Sequence, residues 1–184
     1  FARSYPRVHV EVMCQTSNAL VGQLEQGNLD LAIVTRQPGL PKGELLRREG
    51  LVWASSDSHS VQAQDTVPLA LWQPDCIFRR SALEALDRSG RPWRVTYTSE
   101  SLAGLQAIVG AGLAVTVLIR DTVPAHFRIL GEAEGFPPLP SVEIAMLRGR
   151  GQQSEAAAVL ERHIVDFLRR PEGEAEQPLL AAAE

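Results

Sequence analysis

Residues 93–119, WRVTYTSESLAGLQAIVGAGLAVTVLI, read as strand, helix, Gly-containing turn and strand. That succession is the sequence form of a parallel βαβ unit. It constrains the chain more than any other feature, because a parallel sheet must have its faces covered by helices. Two further stretches share the layout of a short apolar strand, a polar Ser/Thr-rich step and an amphipathic helix. The polar step here, Thr98-Ser99-Glu100-Ser101, falls where the strand ends and the helix begins. In open parallel sheets, unpaired helix N–H groups and short hydroxyl side chains converge at such steps, and ligands bind in the crevice they line.

Upstream, residues 1–5 read as the last turn of a helix stopped before Pro6, and residues 8–12 alternate as a strand. Thr16 or Ser17 caps a helix whose apolar face is Leu20, Val21 and Leu24, with Gly27 as its left-handed stop. Residues 29–34 form a near-continuously apolar strand, and a Gly/Pro loop at 39–43 leads to extended segments at 45–48 and 51–55. A polar connection over 56–66 opens into a second half near Leu69. That half begins with a short strand around 77–78 and a helix over 81–88 ended by Gly90. After the βαβ unit come a Gly/Pro loop at 131–140, a strand at 142–147 and an amphipathic helix over 153–169. Residues 171–184 are acidic and Ala-rich and are expected to be disordered.

The 184 residues, 45% of them hydrophobic, can fill the core of one large domain or two small lobes. A net charge of −4 argues against a surface that grips nucleic-acid phosphates by itself. No apolar run approaches the roughly 20 residues of a membrane span, and Arg3, Tyr5, Pro6 and Arg7 interrupt any leader at the N-terminus. A cytoplasmic location without a membrane partner is therefore expected. Cys14 and Cys76 do not make a disulfide framework, and nothing beside them marks an activated thiol, so they read as buried and inert. His9, His59, His126 and His163 show no ligand spacing, so no metal or other cofactor is expected. With no nucleophile elbow and no acid or base in a telling position, the chain does not read as an enzyme.

The candidate binding residues lie at the expected strand ends. They are Thr35 and Arg36, Phe78 and Arg79, Thr98, Ser99 and Ser101, and Arg120 after the strand from Ala114 to Ile119. If the strands are parallel, these ends share one side of the sheet. Hydroxyls and helix amides there accept a polar ligand, and the arginines suggest an anion. The plainer alternative is that Ser17 and Ser99 only cap helices and the arginines are solvated. Phe1, Val8 and Val10 are either core residues or a surface for a second copy.

The run GNLDLAIV at 27–34, the polar step followed by LAGLQAIVGAGLAVTVLI at 102–119, and a last helix ending IVDFLRR resemble the effector-binding domain of LysR-type transcriptional regulators. The resemblance covers about residues 1–170. DCIFRRSALEALDRSGRPW at 75–93, with SLAGLQA at 101–107, further resembles the LrhA/HexA-like branch, which regulates motility and virulence traits. The family implies an α/β fold of two Rossmann-like lobes, similar to type II periplasmic binding proteins, with a small effector between them. It implies lobe I at 1–55, a crossover at 56–68, lobe II at 69–140, and a return strand and helix on lobe I at 141–170. It also implies homodimers or homotetramers, and DNA binding through an N-terminal winged helix-turn-helix that this sequence lacks. The first strand and most of the first helix are also absent, so the chain is read as N-terminally truncated. Thr35 matches a position after the DLAI motif that often touches effector, and Thr98 matches a hydroxyl position at the second-lobe strand end, with Ser99 and Ser101 beside it. A type II solute-binding protein of a transporter is the alternative on the same fold.

Overall fold

The computed structural model describes residues 1, 3, 5–151 and 154–169. The expected disordered tail at 171–184 lies outside them. The secondary structure alternates in chain order: α1 Ser17–Glu25, β1 Leu31–Thr35, β2 Glu44–Ser56, β3 Val67–Leu71, α2 Ile77–Ser89, β4 Trp93–Thr98, α3 Leu102–Gly110, β5 Thr116–Ile119, β6 Phe127–Leu130, β7 Ser141–Arg148 and α4 Glu155–Leu168.

Strand β2 carries both halves of the molecule. Its first part, Glu44 to Gly50, pairs antiparallel with β7, which in turn pairs antiparallel with β1. Its second part, Leu51 to Ser56, pairs antiparallel with β5 on one side and β6 on the other. The two extended segments expected at 45–48 and 51–55 are thus one strand. Gly50, which has open space where a side chain would stand, marks the handover between partners.

The parallel pairing expected of the βαβ unit is found in the second half. β3 pairs parallel with β4, and Leu69 bridges parallel to Val115 on the other side. β3 is therefore the centre of this layer and is buried along its whole length. Pro68 sits inside it without an N–H, and its carbonyl accepts from Val115 at 2.9 Å. α2 and α3 cover the layer. Ala82, Ala85 and Leu86 of α2 join Trp53, Leu69, Leu71, Val115 and Phe136 in one core, and Leu105 and Val109 of α3 join Ala54, Ala70 and Leu118 in another. A third core holds α1 against β1 through Leu20, Val21, Leu24, Ala32 and Val34.

Two further expectations are corrected, and one strand is added. Ile77 and Phe78 are not a strand; they form the first turn of α2, which starts four residues before the expected helix and ends at Gly90 in the left-handed conformation. The strand ahead of α2 is β3. Residues 8–12 have the alternation of a strand but pair with nothing among the described residues, and Val10 and Val12 are exposed. Alternation gives a segment two faces, and a strand also needs a neighbour for its backbone. Finally, β6 was not expected at all.

Candidate functional site

Three helices begin at one place. Thr16 caps α1, and its hydroxyl accepts from the Ala19 amide at 3.3 Å. Cys76 holds the cap position of α2. Ser101 caps α3 and accepts from the Gly104 amide at 3.4 Å. All three cap residues line one cavity of about 540 Å³. The reason lies in the chain order: each helix follows a strand end or extended segment, so its N-terminus stands at the edge of its sheet.

One wall is made by the first half of the chain: Cys14, Gln15, Thr16 and Ser17 leading into α1, with Thr35 and Gln37 at and after the end of β1. The Thr35 amide donates to Ser17 Oγ at 3.1 Å, which holds the end of β1 against the start of α1. The facing wall runs from Trp72 through Cys76 into Ile77 and Phe78, and Glu100, Ser101 and Leu102 close one side. Trp72 meets Phe78 edge-on with ring centroids 6.3 Å apart. The Ser99 amide donates to Leu71 O at 3.1 Å and so ties the end of β4 to the end of β3. Trp72 Nε1 is buried without an acceptor among the described residues.

Of the sequence candidates, Thr35, Phe78 and Ser101 line this cavity; Arg36, Arg79, Thr98, Ser99 and Arg120 do not. Arg36 is spent on its own loop. Its guanidinium donates to Lys42 O, to Gly43 O at 2.8 Å and to Glu143 Oε2 at 2.8 Å. Arg79 Nη1 donates to Trp72 O at 3.0 Å and to Thr98 Oγ1 at 3.2 Å, so both side chains brace the wall from behind. Thr35 and Thr98 therefore do not face one another across a shared hollow. Ser99 Oγ donates to Ser101 O and accepts from the Ser101 amide, each at 3.1 Å, which folds the polar step. Arg120 is exposed at the start of a one-turn helix beyond β5.

Sequence reasoning missed most of the wall. Thr16 and Ser17 were legible as a helix cap, and the same strand-to-helix logic that singled out residues 98–101 applies to them. Trp72, Gln73 and Asp75 were hidden because Pro68 masked β3. Both cysteines line the cavity, and Cys14 is exposed rather than buried. Burial pushes the Cys76 thiol up, against the opposing pull of the Phe78 and Arg79 amides, which keeps it a thiol. No group of three or more His, Cys, Asp or Glu among the described residues is placed to hold a metal. None of the described helices is long and apolar enough to cross a membrane.

A mixed α/β body in which one strand serves two halves, with a cavity between them lined by helix N-termini, defines a two-lobed ligand-binding domain of the type II periplasmic-binding-protein kind. The chain belongs to the LysR substrate binding domain family, whose model matches residues 1–169. It is 37% identical over 164 residues to the HTH-type transcriptional regulator DgdR of Burkholderia cepacia, covering 89% of this chain and 56% of that protein. It is 31% identical over 151 residues to the HTH-type transcriptional regulator PecT of Dickeya dadantii (strain 3937), covering 82% and 48%. The chain thus spans about half the length of these curated relatives. In fold it is similar to the regulatory domain of Synechocystis PCC6803 CcmR in complex with 2-PG. The TM-score is 0.68 at 15% identity, over 92% of this chain and 88% of that one.

Proposed function

We propose that this chain is the effector-sensing part of a bacterial transcription regulator, and that a small molecule bound in the 540 Å³ cavity controls how the longer protein binds DNA. The observation that carries this reading is the convergence of the α1, α2 and α3 caps from both halves on that cavity. A ligand touching both walls stabilises one arrangement of the halves over another, by its difference in affinity for the two. The lobes expected at 1–55 with 141–170 and at 69–140, with a crossover at 56–68, are kept as the proposed division in all but one respect: residues 51–56, which pair with β5 and β6, go with the second lobe, so that Gly50 in β2 is the proposed link. DNA contact through a winged helix-turn-helix, pairing into dimers or tetramers, and action in the cytoplasm belong to the same proposal. So does the absence of catalysis. The names of DgdR and PecT support regulation over solute transport, and the bound 2-PG of the CcmR domain supports a small-molecule site on this fold.

A thermal-shift screen of small metabolites, 2-PG among them, tests the site. A ligand at 100 times its Kd raises stability by about 2.7 kcal/mol. The expected result is at least one stabilising compound whose shift shrinks in Thr35→Val. Stabilising compounds that are all indifferent to Thr35→Val would end the proposal.

A further inference from the structure

The charge of the cavity wall bears on what it can hold. Asp75 and Glu100 are the charged residues that line it, and both are acidic. Each immediately precedes the cap residue of a helix, Cys76 of α2 and Ser101 of α3. A helix N-terminus carries about half a positive charge, the feature that would otherwise draw an anion. Two full carboxylate charges placed at two of the three helix starts outweigh those partial charges. Of the arginines that suggested an anion, Arg36 pairs with Glu143, Arg79 is turned to Trp72 O and Thr98, and Arg120 is exposed beyond β5, so none of the three lines the cavity. The rest of the wall is uncharged: apolar surface, with Trp72 and Phe78 edge to face, beside hydroxyls and the neutral amides of Gln15, Gln37 and Gln73.

We infer that this cavity takes a molecule without negative charge, an apolar body bearing hydroxyl, carbonyl or amino groups, and excludes carboxylates and phosphates. The inference rests on the reading of the cavity as the effector site and narrows it to a ligand class. A bound carboxylate would have to sit near Asp75 and Glu100 without a cationic side chain lining the cavity to offset either. An amine or a neutral hydroxyl meets no such penalty.

The chain's two thiols, Cys14 and Cys76, both line the cavity and serve as built-in probes of its potential. Methanethiosulfonate reagents with a cationic trimethylammonioethyl, a neutral methyl or an anionic sulfonatoethyl group transfer the corresponding alkylthio group to the thiolate: a mixed disulfide forms as the reagent's own S–S bond breaks, and methanesulfinate leaves. Rate constants are measured for each cysteine by peptide mass spectrometry and divided by those for free 2-mercaptoethanol. The ratio of cationic to anionic reagent at one thiol cancels its thiolate fraction. At low ionic strength the ratio is expected to exceed one at both cysteines, by about threefold or more. It should fall towards one in the double variant Asp75→Asn, Glu100→Gln. A ratio at or below one in the unaltered protein overturns the inference. So does a carboxylate or phosphate whose thermal shift is lost in Thr35→Val. Either result leaves the cavity as the effector site, which falls only if every stabilising compound is indifferent to Thr35→Val.

Discussion

Asn18 Nδ2 donates to Asp75 Oδ2 at 2.6 Å, joining the first turn of α1 to the loop before α2. Asn18 Oδ1 accepts from Gln37 Nε2 at 2.8 Å. Gln37 and Asp75 line opposite walls of the cavity, so Asn18 links the two halves through a chain of three polar side chains. Being exposed, the link is expected to contribute little to overall stability and more to the local order of the α2 entry.

Asn18→Ala removes both hydrogen bonds. The expected cost is about 0.5–1.5 kcal/mol, a fall in Tm of about 1–6 °C. Amide exchange at Cys76, whose N–H donates to Gln73 O at 3.0 Å, should quicken while exchange in β3 does not. Unaltered exchange at Cys76 would show that the link does not order that loop.

How much of this was legible in the sequence depends on the kind of signal. The helix face of α1 and the glycine stops at Gly27 and Gly90 were written in local spacing, and the structure has them. The strand β3 was not, because Pro68 argues against a central strand. Only its central place, with Pro68 O accepting from Val115, shows how the proline is accommodated. The misplaced strand then carried the site with it: with Ile77 and Phe78 taken as the strand, the loop holding Trp72 and Asp75 had no role. The arginines failed as site residues for a different reason. Whether Arg36 is free or bound depends on Glu143, 107 residues away, and no local pattern reports that.

Gly104 in the first turn of α3 leaves room for Ser99 Oγ as it folds the polar step. A Cβ there would stand 2.6 Å from Ser99 Oγ, while the next contacts, Ser99 Cβ at 3.5 Å and Ser101 Cβ at 3.8 Å, are ordinary. Gly104→Ala should therefore lower stability despite the better helix propensity of alanine, worth about 1 kcal/mol. Adding Ser99→Ala removes the clashing oxygen and should recover part of the loss. Paired unfolding curves check this; a double variant no more stable than Gly104→Ala would refute the clash as the cause.

Stability should depend on pH through Glu143 of β7. Hydrogen bonds from Arg36 and then Arg48 hold its carboxyl below the usual range, with Arg48 Nη2 at 2.9 Å. Glu44 is lowered in the same way, first by its hydrogen bond from Arg148. A carboxyl that titrates lower folded than unfolded binds fewer protons in the folded state. Its contribution is thus complete above the ordinary value of about 4.3 and is lost as pH falls through the lower folded value. Melting curves from pH 7 to pH 3 should show a steeper loss below about pH 4.3 for the unaltered protein than for Glu143→Gln. Parallel profiles would contradict this.

Thr35 and Thr98 have distinct roles despite their shared chemistry at strand ends. Thr35 lines the cavity at the end of β1, whereas the Thr98 hydroxyl accepts from Arg79, which also holds Trp72 O. With a stabilising compound from the screen, Thr35→Val should weaken binding by roughly two- to tenfold, the loss of one neutral hydrogen bond of about 0.5–1.5 kcal/mol. Thr98→Val should change affinity less than twofold, because Arg79 keeps its bond to Trp72 O and the wall stays in place. Titration calorimetry on both variants separates the roles. A larger loss in Thr98→Val than in Thr35→Val would mean that the wall behind the cavity, and not its lining at Thr35, carries the contact with ligand.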